Sequence, residues 1–81
     1  MDRVPIYQAA GAVAVTPDDD NDLPRTRASL YVGTAGNIVV VMESGETVTF
    51  TNIQDGTFLP IRVNRVKATS TTATNIVALY P

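Results

Sequence analysis

Residues 28–48, ASLYVGTAGNIVVVMESGETV, decide how this chain of 81 residues is read. Apolar and β-branched residues come in short runs broken by glycine-bearing turns, and no spacing of three to four residues marks a helix face. Residues 29–32 form a first strand. Gly33-Thr34-Ala35-Gly36-Asn37 is expected to reverse the chain tightly, its two glycines supplying positive φ angles. The unbroken run Ile38-Val39-Val40-Val41-Met42 is the best core candidate, since a strand apolar on both parities is covered on both faces by a second sheet or another subunit. Glu43-Ser44-Gly45-Glu46 reads as a hairpin turn. The strand after it alternates, with Val48 and Phe50 inward and Thr47, Thr49 and Thr51 in water.

Downstream, Asp55-Gly56 tips the next turn and leads into residues 58–68. There the apolar parity switches: Leu59, Ile61 and Val63 share one phase, Val66 and Ala68 the other, which predicts a bulge at Asn64 or Arg65. Pro60, lacking an N–H, belongs to an edge or precedes regular pairing. The polar run 69–74, TSTTAT, is a loop. Residues 75–80 make a last strand, apolar on both faces and therefore tied into a sheet. Upstream, residues 1–27 differ from the rest: Pro5, Pro17 and Pro24 punctuate them, residues 18–22 carry an acidic run, and only residues 12–16 have strand character. The expected organisation is an N-terminal arm over 1–27, wrapping its own domain or a neighbour, and a β-domain over 28–81. The fold class is all-β, a small antiparallel β-sandwich or barrel-like domain of five to six short strands with an extended arm.

Composition narrows the chemistry. A chain of this size buries only about 60% of its unfolded surface, and with no cysteine and no histidine it has neither disulfides nor the usual metal staples, so oligomerisation is the expected supplement. The same two absences remove the commonest general base and the best nucleophile, and no carboxylate or lysine pair is singled out by its spacing. No enzyme activity and no cofactor are expected. The formal charge of −2, with few and scattered cations, argues against nucleic acid as a partner. The N-terminal residues fit neither a signal peptide nor a membrane span, so a soluble protein made in the cytoplasm is expected.

Asp18, Asp20 and Asp22 match the first three ligand positions of a calcium loop, but Leu23 stands where that loop needs glycine and Ser29 where it needs a bidentate glutamate. The run reads as a solvated turn or an electrostatic contact, and no metal site is expected. Arg62, Arg65 and Lys67 cluster on one strand, either facing acidic groups of a partner subunit, the 18–22 run of a neighbour among them, or protecting a solvated edge. Tyr31, Phe50 and Phe58 sit within apolar runs and are read as core. The candidate subunit-interface residues are Ile38, Val40, Met42, Arg62, Arg65, Lys67, Val77 and Leu79.

Taken in order, the segments DLPRTRASLYVGTAGNIVVV, TVTFTNIQDGTFLPIRVNRVKAT and TTATNIVALY resemble the head-spike base proteins of gene transfer agents and related tailed bacteriophages. The resemblance runs over residues 22–80. It implies a structural, non-enzymatic virion protein on the capsid surface that oligomerises, anchors a spike or fibre at capsid vertices, and so has the major capsid protein and that spike or fibre as partners. The ring size stays open, a pentamer being one form. A capsid decoration (cement) protein is the alternative, and a host-surface glycan-binding module, using Tyr31 or Phe58 with the TSTTAT loop, is the reading from another class.

Overall fold

The computed structural model describes residues 9–81, which form six strands and no helix. They are β1 (Gly11–Ala14), β2 (Ala28–Thr34), β3 (Gly36–Met42), β4 (Thr47–Ile53), β5 (Thr57–Val66) and β6 (Thr74–Tyr80). All pair antiparallel in a single sheet of order β1-β6-β2-β5-β3-β4. The sandwich-like character comes from β5, the longest strand. Its first part pairs with β2, from Val32↔Thr57 to Ala28↔Val63, and its last part with β3, from Met42↔Val63 to Val40↔Val66. The sheet folds over on itself there. Leu30, Val32, Ile76 and Ala78 from one half and Ile38, Val40 and Val66 from the other thereby meet in one buried cluster.

The bend has a covalent cause. Val41 faces Arg65 while Met42 faces Val63, so Asn64 is an extra residue on β5 and the bulge falls where the change of parity puts it. Between Leu30↔Leu59 and Ala28↔Val63 the β2 ladder also slips, across Pro60-Ile61-Arg62. Pro60 is accommodated because this first part of β5 has β2 on one side and takes up β3 only from Val63. A third irregularity lies in β4, where Gly36↔Ile53 and Ile38↔Phe50 leave one surplus residue and Asn52 adopts a φ of 57°. Asparagine tolerates that left-handed conformation better than most residues.

Two expectations are corrected. Residues 33–37 do not close a hairpin, because β2 and β3 are not neighbours; β5 lies between them, and Ala35 is the single residue connecting β2 to β3. Of the two glycines only Gly36 has a positive φ, 156°, and both are needed for space. A Cβ on Gly36 would stand 2.5 Å from the Ala73 nitrogen, and one on Gly33 2.8 Å from the Asn75 carbonyl oxygen. Tyr31 and Phe58 are not core: each alternates with inward neighbours, so the pleat turns them outward, 40% and 39% exposed. Phe50 does pack against the core.

The 43–46 turn closes the β3–β4 hairpin, with the Met42 amide donating to the Glu46 carbonyl at 2.8 Å. The described part of the arm lies on its own domain. β1 pairs with β6, and the Asp18 and Leu23 amides donate to the carbonyls of Val66 and Asn64 on the bulged strand, both at 2.8 Å. Leu23, 8% exposed, joins the core cluster and pins the arm.

Candidate functional site

Three surface features are built by this frame. The first is an apolar row across the outward face of four strands. Ala14 lies opposite Val77, Val77 opposite Tyr31, and Tyr31 opposite Phe58, so all four side chains share one face. Leu79 stands two residues along from Val77 on the same side, between Ala12 and Ser29. Cross-strand aromatic and β-branched pairs of this kind stiffen the face while leaving apolar area for another surface to cover.

The second is an acidic turn over residues 18–22. The Asp18 carboxylate accepts from the amides of Asp20 and Asn21 at 2.8 and 3.1 Å, which closes an Asx-type turn and, led by the Asp20 amide, holds its pKa below the ordinary carboxylate value. Asp19 accepts from the Thr69 hydroxyl and from the amides of Thr69 and Ala68, and those bonds, the hydroxyl first, lower its pKa as well. Asp22 pairs with the Arg65 guanidinium at 3.0 Å. The carboxylates point to separate partners instead of converging, and no cluster of three ligating side chains suited to a metal occurs among the described residues.

The third is a cleft of about 610 Å³ at the end of the sheet where β2 begins and β6 ends. Arg25, Arg27 and Arg62 line it together with Ile61 and Tyr80. The Arg25 guanidinium stacks over the Tyr80 ring, 4.1 Å from its centroid, a geometry in which the ring's negative face attracts the cation. Arg27 is placed by its own backbone, with a φ of 61° and its amide donating to the Asn64 side chain. Glu43, from the hairpin turn, contacts Arg27 at 3.0 Å and Arg62 at 3.8 Å. Arg27 and Arg62 thus share one carboxylate, while Arg25 is held by the Tyr80 ring.

The structure distributes the sequence-derived interface candidates among different places. Ile38 and Val40 have no exposed surface and sit in the chain's own core, which accounts for their apolar run. Val39 is also buried, so β3 is covered on both faces within one chain, and Met42 is half-buried at the rim. Arg62, its side chain 71% exposed, belongs to the cleft. Arg65 turns to Asp22 of the same chain, and the Lys67 amide continues the β3 ladder by donating to Val39. Val77 and Leu79 are half-buried on the outward face. Arg25 and Arg27 lay outside the candidate set; the signal that marked them was two arginines within three residues of Pro24, next to a strand start.

These features define an all-β structural module with surfaces suited to other macromolecules. No family model matches the chain, and no curated protein matches it. Among solved structures, a chain of the capsid of a native GTA (gene transfer agent) particle, computed with C5 symmetry, superposes with a TM-score of 0.79. It is 43% identical in sequence, over 89% of this chain and 83% of that one. The chain belongs to the family of that gene transfer agent capsid component.

Proposed function

We propose that the protein is a non-enzymatic structural component of the virion surface, a head-spike base that forms a ring at capsid vertices and anchors a spike or fibre there. The observation that carries this reading is the 43% identity, over most of both chains, to a component of a capsid solved with five-fold symmetry. The outward row of Ala14, Val77 and Tyr31 supports it, being apolar area on the folded sheet that a capsid or a neighbouring subunit can cover. A five-fold ring uses heterologous contacts, one surface of each copy against a different surface of the next.

Imaging of purified particles tests the proposal. Density for this chain confined to the vertices, in rings of one size, is the expected result. Copies spread over the capsid faces would instead make it a decoration protein, and particles without the chain would remove both virion readings. The exposed Tyr31 beside Phe58 keeps the glycan-binding module as the alternative from another class, with a glycan array on wild-type and Tyr31→Ala protein as its check.

A further inference from the structure

We propose that copies of this protein associate head to tail, the acidic turn of one copy seating the Asp20 carboxylate in the arginine cleft of the next. This deepens the ring reading above and rests on it for its biological setting. Charge complementarity within the chain carries the argument. Among the described residues, Asp20 is the one acidic side chain without a hydrogen-bond or ion-pair partner; Asp18, Asp19, Asp22, Glu43, Glu46 and Asp55 each have one. It sits at the tip of a turn held rigid from three sides, by the Asp18 Asx-type bonds, the Asp19–Thr69 contact and the Asp22–Arg65 ion pair. With the backbone of the turn held, docking orders only the short Asp20 side chain.

The cleft carries the opposite imbalance. Arg25, Arg27 and Arg62 line it, Arg27 and Arg62 share the single carboxylate of Glu43, and Arg25 is tied only to an aromatic ring, so its guanidinium donors remain available to an acceptor. Turn and cleft are also separated along β5. The turn is held from Arg65 at the end of β5 to Thr69 beyond it, and the cleft at Arg62, three to seven residues earlier in the chain. That separation puts the two surfaces at different places on the subunit, the condition for a heterologous contact that closes a ring. Arg65, paired with Asp22 in its own chain, is left out of the contact.

Charge reversal separates this contact from general stickiness. Sedimentation at about 20 mM and about 300 mM salt, over concentrations up to about 1 mM, should show wild-type protein associating more tightly at low salt. Asp20→Arg alone, and Arg25→Glu with Arg62→Glu, should each weaken association about tenfold or more, and the three changes together should restore it. Asp20→Asn should give a smaller loss. All these side chains are at the surface, and far-UV circular dichroism confirms that each variant is folded. Wild-type protein that stays monomeric at low salt, single reversals that associate normally, or a triple variant without rescue each overturn the proposal. Self-association is read here without capsids and vertex placement in particles, so either can fail while the other holds.

Discussion

Leu23→Ala tests whether the arm is part of the subunit's own core. Leu23 is 8% exposed and packed in the central cluster, and the change removes three carbon groups, worth about 0.8 kcal/mol each in transfer, or about 2.4 kcal/mol. The cavity left behind adds to this, since Leu→Ala in well-packed cores costs about 2.7–5 kcal/mol, while a site at the cluster's edge can partly collapse and recover some of it. A loss of about 2–3 kcal/mol is expected. With a urea m-value of about 1 kcal/mol/M for so small a chain, the midpoint should fall by about 2 M or more at unchanged slope. The assay is urea unfolding at low micromolar protein and high salt, where the charge-driven contact is screened. Amide exchange should also quicken at Asp18 and Leu23, whose N–H groups bond to Val66 and Asn64. A loss below about 0.5 kcal/mol, or a midpoint that climbs with protein concentration under these conditions, would refute the placement of the arm on its own domain.

Ile38→Ala should cost about 3–4 kcal/mol of folding stability in the isolated chain, because the side chain is fully buried there; a loss appearing only in the assembled state would return Ile38 to an interface. Gly36→Ala should destabilise by about 2 kcal/mol or more by chemical denaturation, since the new Cβ meets the backbone of Thr72 and Ala73 and the φ of 156° suits glycine; a neutral variant would show that the 72–73 segment yields freely. Asp19 has a folded-state pKa below the ordinary value of 3.8, through the Thr69 hydroxyl and amide first and the Ala68 amide after them. Its contribution is therefore complete above the unfolded value and lost as pH falls through the folded one, so Asp19→Asn should flatten the decline in stability below about pH 4; an unchanged acid profile would count against the contact.

Much of this architecture is legible residue by residue, and the part that is not has a specific cause. The parity change between Val63 and Val66 locates the bulge because side chains in a strand alternate with period two, and a core-facing residue on the wrong phase forces an insertion. The same signal exists in β4, where Val48 and Phe50 share a phase that Ile53 breaks at Asn52. The non-adjacency of β2 and β3 is hidden because glycines near a turn look alike whether they bend the chain or admit another backbone. Gly36 admits Ala73, from 37 positions further along, and nothing local reports that approach. The destination of the arginines is hidden for the same reason. Arg65 meets Asp22 across 43 residues of sequence, and Arg25 meets Tyr80 across the whole β-domain.

The arm's docking also constrains how an assembly can be built. An arm that reached a neighbour would link subunits by strand exchange, and its apolar anchor would be missing from the isolated chain. Here β1 extends the sheet through β6, Leu23 fills the core and Arg65 is neutralised by Asp22, all within one subunit. Among its described residues the arm's bonding capacity is therefore largely spent internally, apart from Asp20 at the tip of its turn and Arg25 in the cleft. The described residues then offer fixed surfaces for contacts between copies, the outward apolar row and the two charged features. Fixed surfaces set the angle between neighbours geometrically, and a ring of defined size requires that angle to repeat without error. Moving the carboxylate at this tip, for instance by Asp20→Glu, which lengthens a side chain with no hydrogen-bond or ion-pair partner among the described residues, should therefore lower the fraction of closed rings while leaving the stability of the subunit within about 0.5 kcal/mol, as native mass spectrometry and urea unfolding can show together. Rings of unchanged size and yield would mean that the apolar row alone sets the geometry.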